Sequence, residues 1–309
     1  MKSNKSKTGL GFFIALLGGI FWGFSGSCGQ YIFTNCNATS SWLVPVRMIS
    51  AGIILLIFCS FKNNCGIFNV WKGRKNFVTM LLFTLLGLVM CQFSYFRAIE
   101  LSNAGIATVL QYLSPAMILV FTCLKSKKLP AFNEAVSIIL AIGGTFLIAT
   151  GGSLSSFAVS GKALFWGLAA AVFLVCYSLL PAPLFKVSDT PTVLGWGMTL
   201  GGLGLLPVFR PWESMPVISA QLILSTAAIV IFGTVIFGTV IAYAFYLEGI
   251  RIIGATRASI VSSIEPVSAA VISAVWLKSE FSATDIVGMA MIISTIFIIA
   301  VSSKNKKLS

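Results

Sequence analysis

The sequence contains no histidine, and its 8 acidic residues stand against 21 lysines and arginines in 309 positions. Without imidazole there is no Ser-His-Asp triad, no histidine proton relay and no histidine-containing zinc site. The cysteines at 28, 36, 59, 65, 91, 123 and 176 form no C-x-x-C pair. Most of them fall inside apolar runs, where a thiol serves as a small packing group. No G-x-x-x-x-G-K-[ST] loop occurs, so ATP-driven work by this chain alone is excluded. No metal and no cofactor is expected.

Charge of either sign is scarce. Only 9% of residues are charged and 57% are hydrophobic, with a mean hydropathy of +0.98, whereas a soluble domain carries about 25% charged residues. A water-soluble core cannot use that much apolar surface. Counting runs that can cross roughly 30 Å of hydrocarbon at about 20 residues each predicts an all-α membrane protein. Its ten spans are expected at 9–33, 41–61, 77–97, 104–124, 131–150, 161–184, 190–209, 220–247, 254–277 and 281–302. Almost nothing remains for a soluble catalytic domain, so an enzyme is not expected. The first run lacks an A-x-A cleavage pattern and reads as a retained helix.

The basic residues are placed unevenly. With the N-terminus inside, the cytoplasmic segments hold Lys2, Lys5, Lys7, Lys62, Lys72, Arg74, Lys75, Lys125, Lys127, Lys128, Lys186, Arg251, Arg257, Lys304, Lys306 and Lys307. The outer segments hold Arg97, Lys162, Arg210 and Lys278. By the positive-inside rule this asymmetry puts both termini in the cytoplasm. The basic excess therefore reports orientation, and a nucleic-acid partner is not expected.

An offset of 151 aligns Tyr95–Ala149 with Tyr246–Ala300 without a gap, and 12 of the 55 pairs are identical. The pairs include Ala104/Ala255, Pro115/Pro266, Lys127/Lys278 and Phe146/Phe297. Offsets within a residue of this bring Ala51-Gly52 over Gly201-Gly202 and the start of the first span over the sixth. The expected organisation is two units, 1–150 and 151–309, of five helices each. Five is odd, so the second unit enters from the opposite face: a 5+5 inverted repeat, the architecture of alternating access. The paired glycines Gly18-Gly19, Gly143-Gly144 and Gly201-Gly202 suit close helix packing.

These repeats carry a resemblance. YFRAIELSNAGIATVLQYLSP with SKKLPAFNEAVSIILAIGGTFLIA, their echo AFYLEGIRIIGATRASIVSSIEPVSAAVISAVWLKSEFSATDIVGMAMIISTIFIIA, and the opening FWGFSGSCGQYIF resemble EamA-type transporters of the drug/metabolite transporter superfamily. The similarity is greatest to enterobacterial inner-membrane members and covers essentially the whole chain. It implies a multi-pass protein of the cell inner membrane that exports small metabolites, amino acids or toxic cations. It also implies a cavity lined by the first, third, fourth, sixth, eighth and ninth helices.

Glu265 and Pro266 stand out in the residues themselves. Glu265 lies about eleven residues into the ninth span, near the midplane at roughly 1.5 Å per residue. A charge there costs about 2.5–3.5 kcal/mol, so it should not face lipid. Pro266 frees a backbone carbonyl, tolerable only beside protein or a water-filled cavity. Arg47 in the second span is the obvious partner. Paired with it, Glu265 stays ionised; unpaired, it could exchange a proton. A purely structural Glu-Pro element is the competing reading. The first-half counterpart is Ser114-Pro115, and Gln111 and Ser262 stand one turn before the two prolines on the same faces. Gln92, Tyr177, Tyr243 and Gln30 are further cavity candidates; Ser25 and Ser27 are other polar groups within the first span. Tyr95 and Tyr246, near the ends of their spans, suit the interfacial aromatic belt.

The expected function is a secondary transporter binding a small polar or zwitterionic solute, passive or coupled to protons. The alternative is a membrane-embedded scaffold, sensor or lipid-handling protein without flux. The matched fourth and ninth helices could instead form a homodimer contact.

Overall fold

The computed structural model describes residues 2–62, 66–127, 129–130, 132–151, 159–213, 215–216, 226–253, 258, 261–262 and 264–306. Most of the loop at 151–160, the starts of the spans expected at 220 and 254, and Lys128, Arg257 and Lys307 lie outside the described residues. Among the described residues every regular element is helical.

The chain runs through α1 (Lys2–Asn35), α2 (Ser40–Lys62), α3 (Arg74–Leu82), α4 (Met90–Leu101), α5 (Ala104–Gln111), α6 (Ser114–Ser126) and α7 (Phe132–Thr150). The second part contains α8 (Gly161–Leu179), α9 (Thr190–Phe209), α10 (Ala242–Ile253), α11 (Glu265–Leu277) and α12 (Ala283–Lys306). A π-helical stretch, Phe83–Val89, joins α3 to α4, and a longer one, Ile229–Ile241, leads into α10. Six of the expected spans fall on helices long and apolar enough to cross a membrane: Gly9–Asn35, Ser40–Phe61, Arg74–Leu101, Gly161–Lys186, Thr190–Phe209 and Thr226–Tyr246. The other four fall on the shorter apolar helices Ala104–Ile118, Ala135–Thr150, Glu265–Leu277 and Ala283–Thr295.

Large apolar side chains such as Phe58, Phe121, Ile142, Phe165 and Val275 point outward. In water such a surface would aggregate; in a bilayer it is the proper outer face.

Packing follows the sequence repeat. Helix α2 packs on α9 and α7 on α12, each against its own repeat mate. The contact of α1 with α10 is matched by that of α8 with α4, and the contact of α1 with α11 by that of α8 with α6. Small residues allow the self-paired contacts: a Cβ on Gly144 would stand 2.7 Å from the Gly288 carbonyl oxygen, and one on Gly288 2.8 Å from that of Gly144. The local backbone repeats too. Leu113 (φ −69°, ψ −16°) precedes α6 as Ile264 (φ −66°, ψ −17°) precedes α11, and Lys127 and Lys278 end these helices left-handed at φ 51° and 55°.

One rim contact is electrostatic. The Glu100 carboxylate accepts from Arg97 at 2.6 Å and from the backbone N–H of Ser40 at 2.9 Å. It thereby satisfies an orphan amide at the positive end of α2.

Candidate functional site: a central cavity with two separate charges

A cavity of about 360 Å³ lies between the two repeats, at the lower end of the roughly 300–1,000 Å³ of small-molecule sites. Of the residues singled out by sequence, Arg47, Gln92, Gln111, Ser114, Tyr177, Tyr243, Ser262 and Glu265 all line it.

The helix breaks put the polar groups there. Residues 112–113 interrupt the line from α5 to α6, and Pro115 occupies the first turn of α6, where its missing N–H costs no hydrogen bond. Pro266 occupies the equivalent place in α11, so Glu265 opens that helix. A carboxylate at a helix N-terminus is favoured by the unpaired amides of the first turn. Its Oε2 accepts a hydrogen bond from the Tyr112 hydroxyl at 2.8 Å, and the same hydroxyl lies 3.4 Å from the Ser262 carbonyl oxygen. Tyr112 comes from the first repeat and Glu265 from the second, so the bond crosses the centre of the molecule.

Arg47 is 5% exposed and held from three directions. Its Nε donates to Thr239 Oγ1 at 3.1 Å, its Nη2 donates to the Gly238 carbonyl at 3.4 Å, and its guanidinium carbon lies 4.7 Å from the centre of the Phe96 ring. Both oxygen partners come from the π-helical stretch. The Thr239 hydroxyl donates to the Thr234 carbonyl at 2.9 Å, which turns its lone pairs toward Arg47. Gly238 is obligatory there, because a Cβ would collide with Ser25 of α1.

The ion pair expected between Arg47 and Glu265 is not formed: the salt bridges among the described residues are Arg97–Glu100 and Arg210–Glu213. Each central charge has neutral partners instead. The same cavity therefore presents a guanidinium and a carboxylate that do not neutralise each other by contact.

Three expectations are corrected. Gln30 does not line the cavity; its amide binds Ala104, Ser273 and Ser279 at one end of the bundle. Tyr95 and Tyr246 leave the interfacial belt and line the cavity, Tyr95 only 7% exposed and bonded to Thr108 Oγ1 at 2.8 Å. The reason is length: the helix expected to end at 97 continues to Leu101, which draws Tyr95 inward. Ser25 also lines the cavity, its hydroxyl buried without a hydrogen-bond partner. The sequence reading missed Tyr112 and Trp22. Tyr112 sits between Gln111 and Ser114-Pro115, and that position was the available signal. With it, five of the chain's six tyrosines face one cavity. No group of three His, Cys, Asp or Glu side chains that could hold a metal occurs among the described residues.

The EamA-like transporter family matches this chain twice, over residues 9–150 and 161–301. The inner membrane transporter YicL of Salmonella typhimurium is 36% identical over 296 residues, covering 96% of this chain and 97% of its own length. A transporter of Bacillus subtilis, YxxF, is 25% identical over 91% of this chain and 87% of its own. A chloroplastic WAT1-related protein of Arabidopsis thaliana is 23% identical over 84% of this chain and 62% of its own. A solved crystal structure superposes with a TM-score of 0.57 at 19% identity, covering 95% of each chain, which shows a shared fold. Two family repeats spanning nearly the whole sequence, built from apolar helices around a central cavity, make this multi-pass membrane protein a member of the EamA-like transporter family.

Proposed function

We propose that the chain is a secondary transporter of the inner membrane that exports a small zwitterionic metabolite of the amino-acid type by alternating access. In this reading the ten apolar segments all span the bilayer as a 5+5 inverted repeat, with both termini in the cytoplasm. The single observation that carries the solute class is the coexistence of Arg47 and Glu265 in one cavity without mutual contact. Two buried charges with no opposite charge in contact are costly, and a solute bearing both opposite charges offsets that cost at each end.

Arg47, oriented by Thr239 and Gly238, receives the carboxylate of the solute. Glu265, one oxygen held by Tyr112, receives the ammonium. Trp22 and the surrounding tyrosines supply an apolar yet hydrogen-bonding wall for the side chain. When the solute is absent Glu265 is free to take a proton, which would couple flux to protons.

The test is a thermal-shift comparison of purified protein with phenylalanine, 2-phenylethylamine and 3-phenylpropionate, repeated with aliphatic sets of the same three kinds. A bound ligand at 100 times its Kd stabilises by about 2.7 kcal/mol. Stabilisation by amino acids and not by either singly charged analogue is expected. Equal stabilisation by the amine or the acid alone would sink the zwitterion reading. Substrate-dependent counterflow in liposomes then separates a transporter from a scaffold or sensor, which shows none.

A further inference from the structure

Gln30 lies five residues before the end of α1 at Asn35. Its Oε1 accepts from the backbone N–H of Ala104, the first residue of α5, at 2.8 Å. The same oxygen stands 3.1 Å from Ser273 Oγ near the end of α11, while Nε2 donates to Ser279 Oγ at 2.7 Å and the two serine oxygens lie 3.2 Å apart. One buried amide thus joins the end of α1, the start of α5 and the end of α11. Around it the helices close on each other without a gap: a Cβ on Gly29 would stand 2.5 Å from the Phe96 ring, and one on Gly105 2.8 Å from that of Phe281.

Among the described residues the other end of the molecule shows no such junction. At offsets of 150 to 152 the counterparts of Gln30 are Leu180, Pro181 and Ala182, none of which carries a polar side chain. The helix equivalent to α1 stops at Leu179, before that level. Helix α1 packs on α4 and α5, whereas α8 has no packing of comparable extent against α10 among the described residues. The cavity follows the same asymmetry. Its lining includes Trp22 and Ser25 but nothing of α1 nearer to Asn35, and on the far side it reaches Ile118, Ser178, Tyr246 and Ser262.

We infer that Gln30 is the latch of the transport path: its three-way hydrogen bonding shuts the end of the cavity at which α1 terminates. The cavity lining extends away from that end to Ile118, Ser178 and Tyr246, so the latched protein receives solute from the side of the chain termini. Export then requires the Gln30 bonds to break, releasing Ala104, Ser273 and Ser279 together. The inference rests on the transporter reading for its orientation, but not on the solute.

Its test is side-specific labelling of Cys91, which lines the cavity, in full-length protein whose other six cysteines are replaced by alanine. A membrane-impermeant sulfonated maleimide is applied to vesicles of known orientation from each face in turn. Labelling of the unmodified latch from the face of the termini alone is expected. Gln30→Ala and the milder Ser279→Ala should each raise labelling from the opposite face by about tenfold, the effect of losing one or two buried hydrogen bonds. Labelling of the latched protein from the opposite face or from neither face, or no gain in Ser279→Ala, overturns the inference. Because no solute is present, these outcomes leave the zwitterion site to be judged by its own experiment.

Discussion

Glu265→Gln keeps the size and the Tyr112 contact of the carboxylate but removes its charge. A buried charge lost from a pair with a bound ammonium costs about 2 kcal/mol or more, so amino-acid stabilisation in the thermal-shift assay should fall at least thirtyfold in apparent affinity. The unliganded protein should melt no lower than the parent, since a carboxylate without a cation in contact is itself a cost. Arg47→Lys is not a gentle change either. A lysine ammonium cannot donate to Thr239, Gly238 and a carboxylate in one plane, so about a tenfold loss of affinity is expected, measured by the same titration. A parental affinity in Arg47→Lys would remove the guanidinium from solute binding. At this scale the site was largely legible in advance, because a charge or amide inside an apolar run has few places to go. Trp22 was not legible, and Tyr112 only through its place beside Gln111 and Ser114-Pro115: an aromatic ring is as content against lipid as against a cavity, and only the fold decides which. The role of Gln30 was hidden for a related reason. Its burial could be read from its apolar surroundings, but its partners Ala104, Ser273 and Ser279 come from two distant places in the chain.

Among the elements, the π-helical stretch Ile229–Ile241 has the clearest task. An α-helix through the same residues would turn Thr239 to a different azimuth from the one that meets Arg47, and wide turns of this kind are frequent at functional sites. Thr239→Val removes the acceptor for Arg47 Nε while keeping the shape. It should weaken amino-acid binding about fivefold to tenfold, with Thr239→Ser restoring it; isothermal titration on the two variants decides. Hydrophobic periodicity could not reveal this stretch, because a run apolar on all sides carries no angular signal. The shortness of the helices at Ala104–Gln111 and Ser114–Ser126 was likewise invisible in an unbroken apolar run, although the prolines that permit the breaks were visible. The fold at the coarse level was legible for the opposite reason: a 30 Å slab of hydrocarbon imposes one length on every crossing segment.

For the whole molecule, the repeat is the governing fact, and its self-paired contacts give a stability prediction. A Cβ on Gly202 would stand 2.9 Å from the Ile49 backbone nitrogen, and one on Gly52 2.5 Å from that of Thr199. Gly202→Ala must therefore part α2 from α9, at a cost of roughly 1–3 kcal/mol, and should lower the melting temperature of the detergent-purified protein by several degrees. An unchanged melting temperature would mean that these helices are not tightly seated.

The repeats agree in backbone and disagree in charge. Ser114 stands where the second repeat has Glu265, and Gly197 stands at the position corresponding to Arg47 in the register that sets Gly52 over Gly202. Two copies of the first repeat assembled alone would enclose two guanidinium groups and no carboxylate. Two copies of the second would set a pair of carboxylates face to face with no guanidinium between them. Neither homotypic assembly could neutralise its own interior, so pairing of unlike halves is a requirement of the chemistry at the centre, and a gene split between the repeats should function only when both products are made together.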